Sequence, residues 1–96
     1  MAVSGGYLKK IRIAIRRYSE MSADLTTELQ GVIEECRADL IRLGIPEATA
    51  ADETNVQILD AVKRYARWYY EPEADVQAQL WDTYRLKADE LRRAQW

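Results

Sequence analysis

The 96-residue chain contains no histidine and a single cysteine, Cys36. The first absence removes the commonest general base and metal ligand. The second excludes an internal disulfide and makes a reducing compartment the default expectation. No apolar run approaches the ~20 residues that a membrane span needs, because a charge interrupts every stretch. Residues 1–6 lack the apolar core of a secretory signal. There is no nucleophile–base pair, no glycine-rich phosphate loop and no Asp/Glu-rich loop of calcium-binding spacing. The expectation is therefore a protein that is not an enzyme, with no catalytic residues, no metal site, no cofactor and no membrane partner.

Glycine (4) and proline (2) are scarce, whereas Ala, Leu, Glu and Arg are plentiful. That mixture favours helices. Apolar content of 48% excludes wholesale disorder, and the length suits one domain. Net charge is −2 but unevenly spread. Residues 1–20 are net +4, from Lys9, Lys10, Arg12, Arg16 and Arg17 against Glu20. Residues 21–60 are net −7, 61–84 net −1 and 85–96 net +2. Basic ends and an acidic middle would allow like subunits to meet head to tail.

Apolar periodicity predicts an all-α compact bundle of about four helices, over 7–18, 23–43, 55–70 and 73–94. In the first, Leu8, Ile11, Ile15 and Tyr18 make one stripe, with Ile13 off it. In the second, Leu25, Leu29, Val32, Ile33, Cys36, Leu40 and Leu43 repeat over five turns. That helix opens near Ser22 or Asp24 as N-cap, Gly44 supplies its stop and Pro46 prevents resumption. Gly31, inside it, suggests a helix crossing closely there. Residues 1–6 read as a flexible lead-in. Residues 45–54, rich in small residues, read as a mobile loop. The third helix, capped by Thr54 or Asn55, places Ile58, Leu59, Val62, Tyr65, Ala66 and Tyr69 inward. The fourth follows Pro72 and carries Val76, Leu80, Tyr84 and Leu91, with Trp81 and Ala88 on the flank. Cys36 is expected to be a small core residue, and Glu34, Glu35 and Asp39 a solvated acidic face.

Two surfaces remain. Lys9, Arg12 and Arg16 share one face of the first helix, suited to DNA or to an acidic partner. The third and fourth helices superficially suit a helix-turn-helix. Its recognition helix, however, would present Glu73, Ala74 and Asp75 to the major groove and repel phosphates. The aromatics are the second surface. Tyr65, Tyr69 and Tyr84 lie on core stripes, while Trp68, Tyr70, Trp81 and Trp96 lie beside or off them. Trp and Tyr with arginine, here Arg92 and Arg93, are the residue types that anchor interfaces.

Four ordered motifs carry a resemblance. They are Lys-Ile-Arg-Ile-Ala-Ile-Arg at Lys10 to Arg16, and Ala-Asp-Leu-x-x-x-Gly-Ile at Ala38 to Ile45. The third is Ile58, Ala61, Val62, Tyr65 and Tyr69. The last is a helix entered through Pro-Glu-Ala and carrying Tyr84, Leu86 and Lys87. In this order the chain resembles, over residues 8–91, the small all-α head–tail connector proteins of tailed bacteriophages, also described as head-completion or DNA-packaging adaptors. The Trp-rich knot at 68–70 and the basic, Trp-ended tail at 92–96 depart from that pattern. The resemblance implies a virion structural protein at the head–tail interface, present in host cytoplasm during assembly. It would form a ring, dodecameric or similar, under the portal vertex. Its partners would be the portal protein, a tail-side stopper or tail-completion protein, further copies of itself, and genomic DNA passing without being read. The alternative from the residues is a small helical nucleic-acid-binding regulator using the basic first helix.

Overall fold

In a computed structural model, residues 3–15 and 23–94 are described. Among them are five helices and no strand: α1 (Gly5–Ala14), α2 (Ala23–Arg42), α3 (Glu47–Ala50), α4 (Val56–Tyr70) and α5 (Ala74–Arg93). The all-α expectation holds. The helices pack into a body with principal dimensions of 38 × 32 × 18 Å, about two helix diameters thick. α4 lies at the centre, touching α1, α2 and α5.

The helix boundaries follow from local chemistry. Ser4 is the N-cap of α1, its hydroxyl oxygen accepting the Tyr7 N–H at 3.2 Å. The reading of residues 1–6 as a lead-in is corrected to that extent, since Gly5 and Gly6 already form the first turn. At the other end α1 stops at Ala14 with Ile15 as C-cap, so Arg16 to Tyr18 of the expected helix lie outside the described residues, as does Ser22. α2 closes in a Schellman motif. Ile45 N–H donates to Leu40 O at 3.1 Å and Gly44 N–H to Ile41 O at 2.9 Å. Gly44 sits at φ +108°, where a side chain would be strained, and Leu40 and Ile45 are both buried beside it.

The 45–54 segment is not the plain loop its small residues suggested. It contains the single turn α3 and buries Ile45 and Ala50. Small side chains allow close approach as readily as mobility, and α3 uses them to pack against α2. Asn55 then caps α4, its Oδ1 accepting the Gln57 and Ile58 N–H groups at 3.0 and 3.2 Å.

The core comprises Tyr7 and Ile11 of α1, Leu29, Val32, Ile33, Cys36 and Leu40 of α2, and Ile45 and Ala50. α4 adds Ile58, Ala61, Val62 and Ala66, and α5 adds Tyr84, Ala88 and Leu91. Each of the larger side chains contributes roughly 1.5–3 kcal/mol by leaving water. The α2 stripe is buried as its periodicity predicted from Leu29 to Leu40, while Leu25 and Leu43 at its ends are only partly buried. In α1, Tyr7 takes the inward place and Leu8 and Ile15 are only partly buried, so that stripe is rotated from the expected one. Burial raises the pKa of the Tyr7 hydroxyl to about 12, against the opposing pull of Arg37. No close helix crossing explains Gly31: a Cβ added there would meet nothing within 4 Å.

Candidate functional site

α4 and α5 form an antiparallel hairpin whose register is fixed by polar ties. Gln77 Nε2 donates to Trp68 O at 3.0 Å, satisfying a carbonyl at the α4 terminus. Further along, Arg64 Nη1 donates to Thr83 O at 3.0 Å. Beyond it Lys87 Nζ donates to Gln57 Oε1 and lies 3.7 Å from Asp60 and 3.3 Å from Glu90. Lys87 is 6% exposed, yet every neighbour that holds it is polar.

This hairpin stacks the aromatic residues. Tyr84 is buried; its ring centroid lies 5.1 Å from Tyr65 and 5.4 Å from Trp81. Trp81 and Trp68 approach to 4.6 Å at 49°, and Tyr65 lies 5.2 Å from Trp68. Tilted and edge-on pairs of this kind add about 0.5–1.5 kcal/mol each beyond their burial. Trp68, Tyr70 and Trp81, expected on an outer surface, are half-buried, with Tyr70 and Trp81 packed against the core. Tyr69 is the reverse: expected inside, it is 40% exposed. It stands in the last turn of α4 beside Tyr70 at 5.0 Å and Trp68 at 6.3 Å. Among the described residues, the side of that turn bearing Tyr69 is left exposed, while the side bearing Tyr70 packs against the core. The corner thus keeps exposed edges of Tyr65, Trp68, Tyr69, Tyr70 and Trp81, with the Arg85 guanidinium 5.9 Å from the Trp81 centroid.

Beside it opens a cleft of about 450 Å³, lined by Ile15, Arg67, Tyr70, Pro72, Val76 and Leu80 among others. Arg67 crosses to α1, its Nε donating to Ala14 O at 3.3 Å.

The basic face of α1 is only partly assembled. Lys9 and Arg12 line a groove of about 300 Å³ with Gly5, Leu8 and Thr26. Lys9 and Lys10 are exposed, as is Ile13 at 47%. Arg12 is half-buried; its Nε is enclosed and makes no hydrogen bond among the described residues. Arg16 and Trp96 lie outside the described residues, so the expected three-residue basic face and the Trp-ended tail are not described in full. Arg92 and Arg93 are exposed and both pair with Asp89, at 2.6 and 2.8 Å.

Asp39, expected on a solvated acidic face with Glu34 and Glu35, is instead a tertiary link. The Tyr84 hydroxyl donates to its Oδ2 at 2.6 Å and Arg42 Nη2 to its Oδ1 at 2.6 Å. Glu34 and Glu35 are exposed as expected. Burial pushes the Cys36 thiol well above its ordinary range, so it is a core thiol with no thiolate character. Sequence reasoning did not single out Arg37 and named Lys87 only within the resemblance; both are buried cations. Arg37 sits between apolar positions of α2, and Lys87 falls between Tyr84 and Leu91 on the inward side of α5. Their place in the stripe was the available signal.

Among the described residues no three His, Cys, Asp or Glu side chains gather as metal ligands. No helix there is long and apolar enough to cross a membrane. No protein-family model matches the chain, and no curated protein or solved structure is detectably similar to it.

Proposed function

We propose that this chain is a non-enzymatic virion protein, a head–tail connector that forms a ring under the portal vertex of a tailed bacteriophage. The observation that carries the reading is the aromatic corner. Five Tyr and Trp rings share one end of the α4–α5 hairpin and keep part of their surface exposed, with the Arg85 guanidinium beside Trp81. Rigid amphipathic rings beside guanidinium groups are what protein interfaces use as anchors. The ordered motifs that resemble connector proteins give this docking surface a context.

In this reading Trp68, Tyr70, Trp81, Arg92 and Arg93 meet the portal or a neighbouring subunit, with Trp96 at the chain end joining them. A ring multiplies such contacts, so modest pairwise affinity suffices. Basic and acidic regions on one chain suit a closed head-to-tail interface. Lys9, Arg12 and Arg16 face either the DNA channel, contacting phosphates without reading bases, or an acidic partner. The tail-side stopper docks on the outer end of the ring.

Electron microscopy of the protein mixed with portal-bearing capsids tests the proposal. A collar of symmetry-related density at the vertex is expected; bare vertices at saturating protein refute it. The exposed Lys9 and Lys10 beside Arg12 favour one second reading, a nucleic-acid-binding regulator. Titration against duplex DNA at moderate salt decides that reading, and an absence of retention removes it.

A further inference from the structure

The N-terminal cap of α1 is tied to the rest of the molecule through one carboxylate. Glu53 lies between α3 and α4; its Oε2 accepts the Ser4 backbone N–H at 2.9 Å and its Oε1 accepts the Ser4 hydroxyl. Ser4 in turn caps α1. From α2, Arg37 Nη2 reaches Glu53 Oε2 at 3.5 Å, and the guanidinium lies 5.6 Å from the centroid of the Tyr7 ring. Arg37 is 3% exposed, its Nε and Nη1 make no hydrogen bond among the described residues, and Glu53 is its ion-pair partner there.

A buried guanidinium held by one ion pair, with two donor nitrogens unsatisfied, is costly to keep out of water. Its burial depends on two things at once: Glu53 carrying its charge and Tyr7 covering the group. Both act at the N-terminal end of α1, Glu53 by bonding to Ser4 and Tyr7 as part of the first turns. Elsewhere, among the described residues, α1 is held by Ile11, by the partly buried Leu8 and Ile15, and by the Arg67 hydrogen bond to Ala14 O.

We propose that Glu53 is a charge-controlled latch: loss of its negative charge undocks α1 from a body of α2, α4 and α5 that stays folded. Undocking gives Arg37 the water its free donors lack. It also uncovers the apolar surface of α2 and α4 that Tyr7 and Ile11 pack against. The latch is independent of the connector reading, because it concerns the isolated chain.

Hydrogen exchange with mass spectrometry on the full chain tests it, comparing wild type, E53Q, R37M and R37M/E53Q. Gln at 53 keeps one oxygen to accept the Ser4 N–H but replaces the oxygen that accepts the Ser4 hydroxyl with an NH2 group, so the comparison of R37M with R37M/E53Q separates the charge from that altered contact. E53Q should accelerate exchange across residues 7–14 by roughly tenfold to a hundredfold, the range expected for a charged partner lost from a buried group. Amides of α4 and α5 should stay within about threefold of wild type. In R37M/E53Q the α1 amides should return to the R37M rates, because no buried cation is left unpaired. Wild-type exchange of α1 in E53Q, equal acceleration of α5, or failure of R37M to rescue each overturns the latch. Should E53Q alone fail to fold, the pair R37M and R37M/E53Q decides: matching α1 rates support the proposal and a large gap refutes it.

Discussion

Replacing Tyr84 with Phe removes one oxygen atom from the centre of the protein and leaves the ring in place. The Tyr84 side chain is fully buried, and its hydroxyl donates to Asp39 Oδ2 at 2.6 Å, linking α5 to α2. Burial above all, then the nearby Cys36 and Asp39, push the Tyr84 pKa far above its ordinary value. The group is therefore a permanent donor. The ring contacts with Tyr65 and Trp81 survive the change, and no cavity of methyl size is created. What is lost is a hydrogen bond to a carboxylate, worth about 1.5–3 kcal/mol. The lower end applies, because Asp39 keeps its Arg42 partner and its side chain is 19% exposed to water. A loss of about 1.5 kcal/mol should lower Tm by roughly 6–12 °C for a domain of this size. Urea and thermal unfolding followed by tryptophan fluorescence and circular dichroism measure it. The link itself is isolated by the cycle Tyr84→Phe, Asp39→Asn and the double variant, with an expected coupling of about 1 kcal/mol. A coupling below about 0.3 kcal/mol, or a stability change carried entirely by the urea m-value, would show that the hydroxyl does not hold α2 to α5.

Further outcomes follow from individual residues. Gly31→Ala should stabilise the fold by about 0.5–1 kcal/mol, since helix propensity improves and the new methyl meets nothing within 4 Å; destabilisation in the same urea assay would expose an unseen close contact. Glu53, Asp52 and Asp89 all have carboxyl groups held below their ordinary pKa, by Ser4, Thr54 and Arg92 respectively. Their contribution is thus present above the unfolded carboxylate pKa of about 4 and is lost as pH falls through the lower folded values. Unfolding free energy measured from pH 6 down to 3 should decline below about pH 4, and E53Q should flatten part of that decline. Cys36, fully buried with its thiol pKa raised, should react with an aromatic disulfide reagent only at the rate of unfolding. Fast labelling of the native protein would contradict its place in the core.

Much of this architecture was legible because helices advertise themselves locally. α2 shows it best: seven apolar residues at helical spacing, an acidic first turn and a Gly-Ile-Pro stop predicted the buried face and the closing turn. Asn55 and Pro72 bounded α4 for equally local reasons. Legibility failed where two elements had to meet. Tyr69 and Tyr70 are adjacent and chemically alike, yet Tyr69 is exposed and Tyr70 packs against the core. Their order followed the position of neighbouring helices, not the stripe. Asp39 read as solvated surface because its partner, Tyr84, lies 45 residues away. The 45–54 segment read as a loop because a single helical turn is too short to show a period. Of the candidate surface residues, the sequence identified the aromatic set but not that Trp68 and Trp81 pack against each other, with ring centroids 4.6 Å apart.

The sequence by itself determined that the chain is helical, where most of the helices lie, and that the face of α2 bearing Leu29, Ile33, Cys36 and Leu40 is buried. These properties depend on residues within a few turns of one another. Only tertiary structure decided which charges go inside. Arg37 and Lys87 are tolerated in the interior because Glu53, Asp60, Gln57 and Glu90 arrive from other turns and other helices to meet them. A buried cation is set by partners distant along the chain, and no local pattern records where those partners will stand.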